Sequence, residues 1–172
     1  MMQSSANEAL KANNVDLGSR IGRICSLIGS NSFSTACRAA LRRLNPHKAP
    51  SLVFYRFAVY HLPETWEARK ADWMTLTAGI ATMSPSIHRP GQGLGQVLGL
   101  TGYSEARLER LLSAEGDTRR ILFLRAVRFL AAKSAPFDWK DGALFLLLRD
   151  REKQERLHAR IAQDYYRYLQ MD

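Results

Sequence analysis

The sequence predicts an all-α protein, two small helical bundles packed in one chain. Three observations carry that reading. Apolar residues recur at three- and four-residue spacing, and no alternation of period two lasts long enough for a strand. Ser or Asp stands just ahead of several apolar runs, and Pro closes one of them. A Pro- and Gly-rich stretch, residues 84–93 (SPSIHRPGQG), divides a basic N-terminal lobe, 1–90, from a C-terminal lobe, 91–172.

The elements follow in order. Residues 1 to about 14 are polar and read as frayed, and a helix over about 16–29 is weakened by Gly18 and Gly22. Ser32 or Ser34 caps a helix over about 33–44. Its apolar stripe is Phe33, Ala36, Cys37, Ala40, Leu41 and Leu44, with Arg38 and Arg42 on the opposite face and Arg43 on the flank. Pro50 precedes an apolar helix over about 51–61, and Pro63 and Glu64 open another over about 64–83. Beyond the 84–93 loop come a short helix at about 94–99 and one at about 105–114 capped by Ser104. Asp117 caps a helix over about 118–133 that is apolar nearly all round and reads as the central core helix. Asp138 starts a helix over about 138–149. The last helix, about 151–170, carries Glu152–Arg156 and Arg160–Asp164 as pairs four residues apart.

Charge points to function. The net charge is +9, and 19 of the 25 basic residues are arginine, whose planar fork fits phosphate in a bidentate way. From Leu17 to Pro63 there is no Asp or Glu, yet the stretch holds Arg20, Arg23, Arg38, Arg42, Arg43, Lys48 and Arg56. Cations without anions repel one another, a cost that a polyanion offsets. Arg119 and Arg120 sit at a helix start, where the dipole disfavours them, which suggests a further use. From Gly91 onward the two signs mix, as on ordinary solvated helices.

Other chemistries find no support. The four histidines, His47, His61, His88 and His158, are scattered without metal-binding or triad spacing. Cys25 and Cys37 form no CxxC motif and read as small apolar filling. Gly91-Gln-Gly-Leu-Gly95 lacks the spacing of the nucleotide loops. It is a tight turn into a helix, or a helix start that offers N–H groups to a backbone phosphate. Trp66, Trp73 and Trp139 suit core packing. Tyr55 and Tyr60 also read as core, with base stacking beside Arg56 as the alternative. No apolar run reaches the length of a membrane span and no signal peptide is evident, so a cytoplasmic protein without catalytic site, metal or cofactor is expected.

Several segments together resemble the CasB-type small subunit of the type I-E CRISPR Cascade surveillance complex. They are Arg38-Ala-Ala-Leu-Arg-Arg43, Phe54-Tyr-Arg-Phe57, Gly93-Leu-Gly-Gln-Val-Leu98, Ser104 to Leu112, Phe123 to Arg128, Asp138-Trp139 with Ala143 to Leu148, and Ile161 to Tyr166. The resemblance implies two helical lobes and a non-catalytic subunit present in two copies. It implies binding of the displaced non-target DNA strand and of the crRNA–target region, beside the backbone and large subunits of the complex. Carried onto this chain, it singles out Arg38, Arg42, Arg43, Arg56, Arg107, Arg125, Arg149 and Arg151. Lys48, Arg89 and Arg119 join the candidate nucleic-acid-binding set. Ser113 and Gln96 stand where the family often has basic residues. The alternative from another class is a helical protein–protein adaptor whose basic face docks an acidic partner.

Overall fold

A computed structural model describes the backbone of residues 2–169 and the side chains of residues 16–169. Met1 and residues 170–172, where the expected frayed segment begins and the expected last helix ends, lie outside the described residues. Among those described there are nine α-helices and no strand, apart from a single bridge between His88 and Phe137. The helices are α1 (Met2–Gly29), α2 (Thr35–Arg42), α3 (Leu52–His61), α4 (Lys70–Met83), α5 (Leu94–Leu100), α6 (Glu105–Ser113), α7 (Gly116–Ala132), α8 (Trp139–Leu147) and α9 (Arg151–Tyr168). The protein is all-α, as its periodicity predicts.

Four starts are set by local chemistry, whereas Ser104, expected to cap α6, stands at the cap position without a capping bond. Ser34 and Ser51 accept the N–H of Cys37 and Phe54, each at 3.4 Å. The Asp138 and Asp150 carboxylates accept the N–H of Lys140 (3.0 Å) and Lys153 (2.9 Å). Each satisfies a donor that the first helical turn leaves unpaired.

Four expectations are corrected. α1 begins at Met2, well before residue 16, because no Gly or Pro interrupts the chain ahead of Gly18. The expected helix over 64–83 is split into a 3-10 turn at Trp66–Arg69 and α4. At the junction the Arg69 guanidinium is drawn to Asp72 and to the carbonyls of Leu146 (2.7 Å) and Leu147 (3.0 Å) at the end of α8. α7 begins at Gly116, so Asp117 stands in its first turn and pairs with Arg120 at 2.6 Å, while Glu115 takes the capping position. Arg160 does not pair with Asp164. It reaches the buried Asp141 at 2.6 Å, and Asp164 turns to Arg167 at 3.3 Å.

The central helix is α4, not α7. Every residue from Asp72 to Ala81 is buried, whereas Ile121, Arg125 and Arg128 of α7 are exposed. Small residues at Ala71, Ala78, Gly79 and Ala81 let α2, α7 and α8 close on α4. Trp139 fills the space over Gly79, and its indole N–H donates to the Ile87 carbonyl at 2.8 Å. One cluster of buried side chains runs from Ile21 through Phe54, Met74 and Phe123 to Tyr165. Trp66 and Trp73 belong to it, as does Cys25, whose thiol burial pushes up to about 12.

α5 lies along α9 at very short range. A side chain at Gly95 would overlap the Ile161 carbonyl oxygen and stand 2.9 Å from its carbonyl carbon. One at Gly99 would meet the Tyr165 carbonyl. Only residues without a Cβ admit this approach. The Tyr165 hydroxyl then donates to the Tyr103 carbonyl at 2.5 Å, tying α9 to the loop after α5.

Candidate nucleic-acid interface

The arginines of the acid-free stretch divide into two kinds. Arg38 and Arg42 hold the fold. Arg38 donates from Nε to the Ile28 carbonyl (2.8 Å) and from one terminal nitrogen to those of Ser30 (2.9 Å) and Phe33 (3.3 Å). It thereby serves the Ile28 carbonyl in the last turn of α1 and two carbonyls of the turn that follows it. The Arg42 Nε donates to the Ala81 carbonyl in the last turn of α4 at 2.8 Å. Cations suit helix C-termini for the same reason that they suit anions. Arg38→Ala is therefore expected to lower stability by about 2 kcal/mol through three lost charge-assisted bonds. Arg43→Ala should leave the urea midpoint unchanged, because that side chain is exposed and makes no bond among the described residues.

Arg119 also turns inward. Its guanidinium stacks 4.3 Å over the Phe145 ring, and a terminal nitrogen lies 3.4 Å from His158 Nε2. Burial holds Arg119 below its ordinary value, and burial followed by the Arg119 charge does the same to His158. The neighbouring Arg120 joins Arg69 on Asp72, at 2.8 and 2.7 Å, in a buried cluster linking α4, α7 and α8.

The glycine loop is closed by the protein's own carboxylates. Asp138 accepts the Gly91 N–H and Asp141 accepts the Leu94 N–H, both at 2.9 Å. The segment is a turn leading into α5. The Leu94 N–H at the start of α5 is occupied, and the nearby pocket sets Asp138, Asp141 and Asp164 among Lys140, Arg160 and Arg167.

The second kind of arginine is exposed and, Arg151 aside, carries no carboxylate partner among the described residues. Arg43 and Lys48 line a pocket of about 290 Å³ where α2 meets the loop after it. His47 of that loop lies 3.5 Å from Asp117, which places the pocket beside the start of α7. Eight residues on, about 12 Å along α7, stands Arg125. It lines a pocket of about 320 Å³ with Arg107 and Arg110 of α6, floored by Leu122 and walled by Tyr103 and Phe129. None of these three guanidiniums makes a hydrogen bond or ion pair among the described residues. Arg89 and Arg149 are exposed at loop positions. Arg151 pairs with Glu155 at 3.4 Å, fully in solvent. Arg56 sits apart, at a groove between α3 and its neighbours, with one nitrogen 3.5 Å from the Cys37 sulfur. Tyr55 and Tyr60 beside it are exposed, against the expectation of core tyrosines.

A family model described as CRISPR-associated protein Cse2 matches residues 37–166. The chain belongs to the Cse2 family. The family is a non-catalytic one, and membership makes the chain a subunit of the CRISPR Cascade complex. No curated protein and no solved structure matches the chain. Every candidate residue from Arg38 to Arg151 lies within the Cse2 match, whereas Arg20 and Arg23 precede it. No helix of the described residues is long and apolar enough to cross a membrane.

Arg110 is the member of the Cse2 chain's three-arginine pocket that the sequence reading missed. Its signal was present, since it follows Arg107 by three residues and so shares that helix face. What hid it was the mixed charge of the segment, with Glu105 and Glu109 between and before the two arginines.

Proposed function

We propose that this Cse2-family subunit holds the displaced non-target DNA strand, and adjoining crRNA–target backbone, without reading sequence. The observation that carries the reading is the pocket of Arg107, Arg110 and Arg125. Three arginines line one pocket of about 320 Å³, with no carboxylate among its lining residues and two aromatic residues beside them. Such a site favours a phosphate through charge-assisted, bidentate bonds and is indifferent to the base. Arg43 and Lys48 extend the cationic surface past the start of α7, and Arg89, Arg149 and Arg151 supply further exposed charge. Arg38 and Arg119 support the reading by shaping the elements that carry the others, and Arg42, exposed and bonded only through Nε, adds its terminal nitrogens to the cationic surface.

The physical role follows from the balance of the R-loop. A guide–target heteroduplex replaces a DNA duplex of similar stability, so the displaced strand competes to re-pair. Contacts that retain that strand tip the balance, through counterion release and phosphate bonding. Two copies of the chain beside the backbone and large subunits of Cascade, in the cytoplasm, belong to the same proposal, as does the division into lobes 1–90 and 91–172.

The test uses assembled Cascade with Arg107, Arg110 and Arg125 all changed to Ala. A faster collapse of the R-loop on a matched target, by about tenfold or more, is the expected result. An unchanged R-loop lifetime in a complex that still contains the subunit contradicts the proposal.

A further inference from the structure

α3 is packed on one side only. Phe54, Phe57 and Ala58 enter the core. The opposite side presents Leu52 (85% exposed), Tyr55 (39%), Val59 (72%) and Tyr60 (75%), with Arg56 as its single charge. At 3.6 residues per turn these five positions fall within one arc of about 140°. The arc continues into a groove. A pocket of about 360 Å³, floored by Leu27, Phe33, Val53 and Phe57, adjoins one of about 220 Å³ beside Arg20 and Arg23 of α1. The two share Leu27, Tyr60 and His61.

The chemistry of this face differs from that of the three-arginine pocket. Its floor is apolar, and the Cys37 sulfur within it already receives an Arg56 N–H. A base would find little there for its polar edges, whereas an aliphatic or aromatic side chain would be accommodated. Leu52 and Val59 offer aliphatic surface that neither stacks on bases nor binds phosphate. A contiguous exposed apolar face of this kind marks a docking surface. Its rim sets the partner's charge. No carboxylate occurs between Leu17 and Pro63, and Arg23 and Arg56 make no ion pair among the described residues. Arg20 at this rim pairs with Asp16 at 3.9 Å, which leaves Arg23 and Arg56 as the cations that another molecule's anions would complement.

We propose that this face of α3, with its groove against α1, docks an acidic amphipathic helix of another Cascade subunit. The helix lays apolar side chains on Leu52, Val59 and Tyr60, inserts one into the Leu27–Phe33–Phe57 pocket, and turns Asp or Glu toward Arg23 and Arg56. The inference rests on membership in the family and is independent of the nucleic-acid reading.

The experiment places the photo-reactive residue p-benzoylphenylalanine at position 59 of the full chain and irradiates the assembled complex. A cross-link to an Asp- or Glu-bearing helix of another subunit is expected. A cross-link to nucleic acid, a cross-link to a second copy of this chain, or none at all overturns the proposal. A second arm uses Leu52→Asp with Val59→Asp, substitutions at exposed positions that leave thermal unfolding of the chain unchanged. Recovery of the doubly substituted chain with the other subunits is expected to fall by about tenfold, while single-stranded DNA binding by the isolated chain stays within about twofold. Undiminished recovery, or a parallel loss of DNA binding, sinks the idea.

Discussion

Gly95→Ala is expected to destabilise the protein by about 3 kcal/mol or more. The added methyl has nowhere to go. It would overlap the Ile161 carbonyl of α9 and crowd that residue's Cα at 2.9 Å, and these are backbone atoms that cannot rotate aside. α5 and α9 must separate, which also loosens the bond from Tyr165 to Tyr103. For a chain of this size the thermal midpoint should fall by roughly 6–12 °C. Gly22→Ala is the matched control. Nothing lies within 4 Å of a Cβ there, so this half-buried helix interior should gain slightly from alanine's better propensity. A scanning-calorimetry comparison that finds the two substitutions equivalent contradicts the close helix crossing.

Asp72→Ala is expected to cost about 3 kcal/mol in urea unfolding. The carboxylate is 8% exposed and serves two guanidiniums that are themselves only 21% and 20% exposed. Its removal leaves both charges in a poorly solvated place. The loss stays at the lower end of the range for a broken buried pair, because Arg69 keeps two carbonyls and Arg120 keeps Asp117. Glu152→Ala breaks the solvent-exposed pair with Arg156 and should leave the midpoint where it was. Equal effects at the two sites would show that the cluster around Asp72 does not anchor α4 to its neighbours.

Much of the fold was legible because helix starts are local. Ser34, Ser51 and Asp138 act on donors two or three residues ahead, within reach of a spacing rule. The long-range features were not. The partner of Gly95 lies in α9, far along the chain, so the glycine looked like part of a turn motif. Arg160 had an acceptable partner at Asp164, and only the fold brings the buried Asp141 to it. The choice of α7 as the central helix failed because its apolar content is high, whereas α4 is central through small residues that permit contact on several sides.

The acid-free stretch shows the limit of charge counting. Its emptiness of Asp and Glu implies that all its cations await a polyanion. Arg38 and Arg42 instead answer to backbone carbonyls at the ends of α1 and α4, acceptors invisible to a tally of side-chain charge. Arg20 pairs at 3.9 Å with Asp16, just outside the stretch, while Arg23, Arg43, Lys48 and Arg56 keep the exposure that the tally implied. The pocket with three arginines lies in the other half, where mixed signs concealed it. Glu105 and Glu109 are exposed on α6, and neither makes an ion pair with Arg107 or Arg110 among the described residues.

The most direct measurement of the central claim is the salt dependence of single-stranded DNA binding by the isolated subunit, read by fluorescence anisotropy. If Arg107, Arg110 and Arg125 each neutralise a phosphate, changing all three to Ala reduces the slope of log K against log salt by about 2 in magnitude. The same loss should appear on every DNA sequence tried. A slope that stays the same, or a loss confined to particular bases, contradicts the account.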